Sequence, residues 1–225
     1  MAANDFLAET PENFEQKCLC VLVLDVSGSM IGTPIQQLNE GLQRFKHQVM
    51  NDEIASQRLE VCIITFSGRV ACIQEPSLIH NFDMPTLKAG GSTALVDGLR
   101  RAILKVTTRK NWYKQTGQPY YRPFVIMITD GEPDADQDVR GVSQDIDIRV
   151  DNKEFLFFPI GVQDANMEVL RQLSHRNTPP MMLKGLNFTE FFQWLSNSVS
   201  VITKSKDGDN INLPDTSGWG QIAIY

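Results

Sequence analysis

Three short segments of this chain carry side chains whose oxygen atoms suit a hard divalent cation. Residues 25–29 (Asp-Val-Ser-Gly-Ser) directly follow an apolar run, residues 90–93 read Gly-Gly-Ser-Thr, and residues 129–131 read Thr-Asp-Gly after a second apolar run. Carboxylate and hydroxyl oxygens bind Mg²⁺, Mn²⁺ or Ca²⁺ rather than soft metals. The segments therefore predict one cation site whose ligands, direct or through water, are Asp25, Ser27, Ser29, Thr93 and Asp130.

The charge and number of these ligands indicate what the site would hold. Two carboxylates and three hydroxyls carry a charge of −2, which balances one divalent cation. The expected cation is Mg²⁺, and Mn²⁺ and Ca²⁺ are the alternatives. Mg²⁺ prefers octahedral oxygen coordination, so five protein groups leave at least one position open for another ligand.

Each of these residues alone has a simpler explanation. An Asp at the end of a strand commonly caps a helix, and a Ser or Thr in a turn commonly bonds to its own backbone. Three such segments in this order, each at a strand end or a helix start, favour one joint site over three separate caps.

Apolar runs alternate with amphipathic stretches along the chain, which predicts an α/β fold with a doubly wound, mostly parallel sheet. Continuous apolar runs suit strands that are covered on both faces. A tight turn at 67–68 and a short return strand at 70–73 predict one antiparallel edge strand. The predicted elements are buried strands at 18–25, 59–66, 124–129 and 155–162, a last short strand at 181–183, helices from 33, from 93, at 144–152, 167–173 and 188–202, and loops at 74–87 and 111–122.

In an open α/β sheet, ligands bind outside the carboxyl ends of the strands, where the strand order reverses. Asp25 ends the first predicted strand, Asp130 follows another, and Thr93 opens a helix. We therefore expect all three segments to meet at one edge of the sheet.

The composition excludes several partners. The 225 residues carry a net charge of −6 with a pI near 5.1, whereas a nucleic-acid binder usually has a basic face. The basic pairs 100–101 and 109–110 are expected on solvated helix faces. No run reaches the ~18 apolar residues of a membrane span, and the polar start of the chain lacks a signal-peptide core. We therefore expect a cytoplasmic protein with no nucleic-acid or membrane partner.

The thiols and imidazoles do not form a convincing metal motif. Cysteines at positions 18, 20, 62 and 72 lie in apolar runs and are expected to be reduced and buried. A four-thiolate zinc site is the alternative, but its usual C-x₂-C pairs are missing. The histidines at 47, 80 and 175 are expected on the surface or in loops.

Three parts of the chain are distinguished by composition. Residues 1–16 form an N-terminal arm, residues 17–203 one domain, and residues 204–225 a polar linker with a short apolar tail. Because an apolar tail is unfavourable in water, we expect Trp219, Ile222, Ile224 and Tyr225 to dock against this domain or a partner.

The three motifs, taken together, resemble the metal-ion-dependent adhesion site of von Willebrand factor A (vWA) domains, which uses Asp-x-Ser-x-Ser, a Thr and an Asp. The resemblance implies a Rossmann-like vWA fold and a metal that recruits an acidic side chain of a partner. The Asp-Gly-Glu-Pro run from Asp130 and the Gly-Trp near the end resemble the bacterial TerY type, which is associated with tellurite resistance. That resemblance implies a stress-response system with phosphatase and kinase-like partners.

The predicted function is a non-catalytic, metal-dependent protein-interaction module. No His lies in a motif, and no hydroxyl or thiol lies beside an evident base. The alternative is a Mg²⁺-dependent phosphohydrolase of the haloacid dehalogenase type, with Asp25 as nucleophile and Asp134 or Asp136 near the metal. That enzyme class usually has a second Asp as general acid at the position of Ser27, and a hydroxyl cannot do this work near neutral pH.

Overall fold

The computed structural model describes residues 9–130, 132–205 and 213–222. The described residues form one seven-stranded sheet with helices on both faces. Its strands are β1 (Cys18–Asp25), β2 (Leu59–Phe66), β3 (Val70–Leu78), β4 (Phe124–Thr129), β5 (Leu156–Gly161), β6 (Met181–Leu183) and β7 (Gly220–Ile222). The helices are α1 (Thr33–Met50), α2 (Glu53–Arg58), α3 (Leu95–Thr116), α4 (Val139–Asp151), α5 (Met167–Leu173) and α6 (Phe188–Lys204).

The sheet has the doubly wound order β3-β2-β1-β4-β5-β6-β7. Strands β2, β1, β4, β5 and β6 pair in parallel, and β3 runs antiparallel at one edge. The predicted fold class is confirmed. At the other edge the short strand β7 adds a second antiparallel pairing, with β6.

The central strands are buried because each side of the sheet is covered by helices. Every residue of β1, β2 and β4 is buried. Alternate side chains of β1 point to opposite faces. Leu22 and Leu24 pack with residues of α1 and α6, whereas Val21 and Val23 pack with residues of α3, α4 and α5.

The same alternation separates the cysteines. Cys18 and Cys20 face the α1 and α6 layer, whereas Cys62 faces the α3 layer, so the four thiols do not converge on one point. Three of the thiols are buried as predicted, and Cys72 is only half-buried. Burial, together with the charge of Glu60, raises the pKa of the Cys18 thiol to about 12. Such a thiol stays protonated and unreactive at neutral pH.

Two segments that were predicted as loops are largely regular. Strand β3 continues to Leu78, and helix α3 continues through the polar stretch 111–116. The helix persists because Trp112 and Tyr113 are buried in it, and Tyr113 stacks on Tyr120 with 5.0 Å between ring centroids. Helix α2 was not predicted at all, and its first turn is capped by Asp52.

The expectation that Arg109 lies on a solvated helix face is wrong. Its guanidinium is buried and binds Glu60 through two contacts of 2.7 Å and Glu9 through contacts of 2.7 and 3.0 Å. It also lies 4.0 Å from the centre of the Trp112 ring. This ion cluster ties the N-terminal arm to α3 and β2, because a buried charge must be paired to be tolerated.

His175 lies in a loop, which is one of the two predicted placements, but its side chain is buried. Its Nε2 is 3.0 Å from a carboxylate oxygen of Asp151, and its Nδ1 accepts a 3.1 Å hydrogen bond from the backbone N–H of Asn177. These contacts join the end of α4 to the segment before β6. His175 therefore has a structural role here.

The C-terminal segment docks on the domain through Trp219. Its ring is buried, with centroids 4.9 Å from Phe191 and 5.1 Å from Trp194 of α6. The prediction that Trp219 docks is confirmed. Ile224 and Tyr225 lie outside the described residues.

We predict that Trp219→Ala destabilises the protein by about 3–5 kcal/mol, because it leaves a cavity between α6 and the sheet edge. Urea unfolding of the variant and of Val201→Ala, which changes a more exposed residue of α6, measures the effect. Equal stability of wild type and Trp219→Ala would contradict the docking of the tail.

Asp52 links α2 to α6. Its carboxylate accepts hydrogen bonds from the N–H groups of Ile54 and Ala55 (3.1 Å each) and from Ser200 and Lys204 (2.7 Å each). Burial alone would raise the pKa of Asp52, but the hydrogen bonds from Lys204 and Ser200 outweigh it and lower the pKa to about 2. A depressed folded-state pKa stabilises the protein above the unfolded value of 3.8, and this stability is lost as the pH falls toward 2.

We predict that Asp52→Asn, which keeps a side chain able to cap the helix, lowers the free energy of unfolding by about 1 kcal/mol at pH 7. The difference from wild type should shrink between pH 4 and pH 2, because wild-type Asp52 becomes protonated there. Urea unfolding across this range measures it, with the fully exposed Asp83 changed to Asn as the control. A difference that stays constant with pH would contradict the linkage.

Candidate metal site

The site lies at the carboxyl edge of the sheet, where β1 and β4 run side by side. Asp25 is the last residue of β1, and Asp130 directly follows β4. Leu24 pairs with Ile128, so the two strand ends are in register. Strand β1 has β2 as its neighbour on one side and β4 on the other, so the strand order reverses here. Ligands of open α/β sheets bind at such a point.

Hydroxyl groups join the two strand ends. The Ser29 hydroxyl donates a 2.7 Å hydrogen bond to Oδ1 of Asp130, across 101 residues of sequence. The hydroxyls of Ser27 and Ser29 are 3.0 Å apart. Asp25 joins them, because its Oδ1 accepts the Ser27 N–H at 2.8 Å. Four of the five predicted residues are thus held in one connected cluster.

Thr129 is a member of the cluster that the prediction of ligands missed. Its hydroxyl donates a 2.6 Å hydrogen bond to Oδ2 of Asp25, which is completely buried. The local capping explanation accounts for the bond between Asp25 and the Ser27 N–H, but not for this bond between strands. The signal for Thr129 was its place as the last residue of a buried strand beside Asp25.

A glycine-containing loop carries Thr93 to the same edge. The Gly28 N–H donates to the Gly91 carbonyl at 2.9 Å, and the Gly90 N–H donates to the Val26 carbonyl at 2.7 Å. Gly91 has a φ of 96°, and a Cβ there would lie 3.2 Å from the backbone nitrogen of Gly68. Both the backbone conformation and the close approach favour glycine at this position.

The backbone of Thr93 is fixed by two residues that sequence reasoning did not assign to this role. The Thr93 N–H is 3.2 Å from both carboxylate oxygens of Asp134, and the Gln137 side chain donates a 2.6 Å hydrogen bond to the Thr93 carbonyl. Thr93 itself is buried. It does not cap α3, which begins at Leu95. No spacing rule finds Asp134 and Gln137, because their role depends on the path of the loop after β4.

The surroundings of Asp25 and Asp130 disfavour the charged form of both carboxylates. Burial raises the pKa of Asp25, and the hydrogen bonds from Ser27 and Thr129 only partly oppose this. Burial also raises the pKa of Asp130, against the hydrogen bond from Ser29. Among the described residues, no group donates a hydrogen bond to the buried Oδ2 of Asp130. A buried, unsatisfied carboxylate oxygen is costly, so the donor set fits a divalent cation that would compensate it.

Comparison with protein families identifies the class. Residues 20–197 match the family model of the von Willebrand factor type A domain, and the chain belongs to that family. Domains of this family are commonly protein-interaction or adhesion modules. No match is found among curated proteins.

Solved structures share the fold at low sequence identity. The pilus adhesin SpaC from Lactobacillus rhamnosus GG has a TM-score of 0.66 and 14% identity, over 84% of this chain and 31% of that one. The vWF domain of the pili tip protein Mfa5 from Porphyromonas gingivalis has a TM-score of 0.60 and 9% identity, over 88% and 99%. A von Willebrand factor type A structure from Catenulispora acidiphila has a TM-score of 0.58 and 13% identity, over 83% and 43%. This chain thus spans less than half of two of these three structures.

Within the described ranges, no helix is both long enough and apolar enough to cross a bilayer.

We predict that Asp25→Ala abolishes Mg²⁺ and Mn²⁺ binding measured by calorimetry, because no neighbour replaces its charge. Asp130→Asn should also lose binding, yet in EDTA it should be as stable as wild type or more stable by about 1 kcal/mol, since it removes an uncompensated buried charge. Thermal unfolding in EDTA and in Mg²⁺ measures both effects.

Wild type should gain about 2.7 kcal/mol of stability at a Mg²⁺ concentration of 100 times its Kd, and Asp130→Asn should gain none. Asp83→Asn, at an exposed position, is the matched control and should behave as wild type. Undiminished Mg²⁺ binding by Asp25→Ala would contradict the site.

Proposed function

We propose that this protein is a metal-dependent protein-interaction module that binds an acidic side chain of its partner at the carboxyl edge of the sheet. The observation that carries the proposal is the buried Oδ2 of Asp130, which no described group satisfies, beside the buried carboxylate of Asp25. The ligands would be Asp25, Ser27, Ser29, Thr93 and Asp130, with Mg²⁺ as the first candidate and Mn²⁺ or Ca²⁺ as alternatives.

The protein's own charges support a site that attracts an anion. Asp25 and Asp130 together neutralise one divalent cation and leave no excess negative charge. Glu132, two residues further on, is exposed, and its carboxylate accepts a 2.6 Å hydrogen bond from the side chain of Asn166. This contact directs Glu132 toward the start of α5, so it does not act as a third carboxylate in the cluster.

When bound, a divalent cation supplies positive charge with an open coordination position, which a partner's Glu or Asp can fill. The buried surroundings strengthen such a charge-assisted contact, because little water competes for it. The hydroxyls of Ser27 and Ser29 and the anchored backbone of Thr93 hold the ligand set in place before any partner arrives. The module needs no chemical step for this recognition.

The phosphohydrolase alternative is not favoured. A nucleophilic Asp needs a carboxylate oxygen with available electron density, but both oxygens of Asp25 already accept hydrogen bonds, from the Ser27 N–H and the Thr129 hydroxyl. Asp134, the alternative metal ligand, holds the backbone of Thr93. Ser27 cannot replace the general acid that this mechanism requires.

The narrower resemblance supports a cellular setting for the module. The Asp-Gly-Glu-Pro run and the Gly-Trp near the end suggest the TerY type, so we place the protein in a cytoplasmic stress-response or tellurite-resistance system. Its partner would then be a phosphatase or a kinase-like protein that presents a Glu or Asp to the metal.

We predict that the wild-type protein captures a specific partner from cell extract in Mg²⁺ but not in EDTA. Thr93→Ala and Asp130→Ala should lose capture in both conditions, because each removes a ligand. Mass spectrometry of the captured proteins identifies the partner and tests the tellurite-resistance setting. Asp83→Ala, which alters an exposed carboxylate, is the control.

Equal capture under all conditions would mean that recognition occurs on another surface. Phosphatase turnover that depends on Asp25 would favour the enzyme alternative.

A further inference from the structure

A groove of about 530 Å³ opens beside the candidate metal site. It lies between the turn at 67–69, which joins β2 to β3, and the extended segment at 86–90. It starts at Val26, the residue that follows Asp25. We call it the basic groove and define it by Val26, Thr65, Arg69, Ile73, Leu87 and Lys88.

Hydrogen bonds to the rest of the domain fix both walls of the basic groove. The Ala94 N–H donates to the Ser67 carbonyl at 2.8 Å, which ties the turn to the loop that carries Thr93. On the other wall, Asn39 of α1 binds the backbone of Leu87 through contacts of 2.7 and 3.0 Å. The groove is therefore formed in the folded protein without a ligand, as is usual for binding sites.

The charges around this edge of the sheet are unevenly distributed. Arg69 and Lys88 are exposed in the basic groove, and within the described ranges neither forms an ion pair with a carboxylate. On the opposite side of the metal site, the loop after β4 exposes Glu132, Asp134 and Asp136. In a chain with a net charge of −6, two exposed cations without an internal partner form a local positive surface.

We propose that the basic groove binds a second acidic side chain of the partner segment whose first acid reaches the metal. This inference rests on the proposed function and specifies its partner as an extended, doubly acidic protein segment. Successive residues of an extended segment rise by about 3.3 Å, and side chains two apart point the same way. In this proposal the second acid lies two or four residues from the first and contacts Arg69 or Lys88.

The contact chemistry favours carboxylates in a peptide over a nucleic acid. Arg69 presents a planar fork that matches a carboxylate, and Lys88 adds a point charge beside it. Ile73, 41% exposed, offers apolar contact to the side chains between the two acids. A nucleic acid needs a longer basic surface than these two cations provide.

Selection from a library of random short peptides tests the proposal. The full-length protein is immobilised, peptides are bound in Mg²⁺, and they are eluted with EDTA. Wild type should enrich peptides with one invariant acid and a second acid at a fixed spacing. Arg69→Glu/Lys88→Glu should keep the invariant acid, replace the second with Lys or Arg, and bind the wild-type peptides about tenfold more weakly.

The matched control is Arg44→Glu/Lys114→Glu, which changes the net charge equally at exposed cations on α1 and near the end of α3. It should select the same peptides as wild type. A Mg²⁺-dependent rise in melting temperature shows that each variant is folded. If the double reversal does not fold, the single variants Arg69→Gln and Lys88→Gln should each weaken binding of the selected peptides by a smaller factor.

The outcomes separate this inference from the proposed function. Mg²⁺-dependent peptides with no second acid, or the same selection by Arg69→Glu/Lys88→Glu and wild type, would overturn the role of the basic groove alone. Selection that is unchanged in EDTA, or no selection at all, would overturn the proposed function and this inference with it.

Discussion

The structure must hold two carboxylates, those of Asp25 and Asp130, close together in a buried place. Asp25 and Asp130 repel each other and lose the solvation that water would give them, so their proximity costs free energy. Fully buried strands keep them there, because β1 and β4 pair from Cys20 to Leu24 and cannot slip. A slip of one residue would turn the apolar side chains of a strand to the wrong faces and move Thr129 away from Asp25.

At the opposite edge of the sheet, the buried charged side chains of one cluster are paired with each other. There the guanidinium of Arg109 lies between the carboxylates of Glu60 and Glu9, and the Tyr113 hydroxyl donates a 2.5 Å hydrogen bond to Glu60. Each charge in this cluster has a partner within the described chain, and the cluster stabilises the fold. At the carboxyl edge, where we propose the metal site, no described group satisfies one carboxylate oxygen of Asp130, which is typical of ligand sites.

Several structural features that depend on residues close together in the sequence were predicted correctly. Continuous apolar runs predicted β1, β2 and β4, and the Asp-x-Ser-x-Ser spacing placed Asp25, Ser27 and Ser29 together. The burial of Arg109 depends on Glu60 and Glu9, which lie 49 and 100 residues away, so the local polar composition was misleading. The anchoring of Thr93 by Asp134 likewise depends on a loop path that no local pattern specifies.

The hydrogen bond from Ser29 to Asp130 has a consequence for how the protein is made. It joins residues 101 positions apart, and β1 lies between β2 and β4 in the sheet. The cluster therefore cannot form before β4 has paired with β1. A chain emerging from the ribosome therefore lacks the complete cluster until residue 130 has been synthesised and β4 has paired with β1. Under the proposed function, an unfinished chain would therefore be unable to bind its partner at this edge.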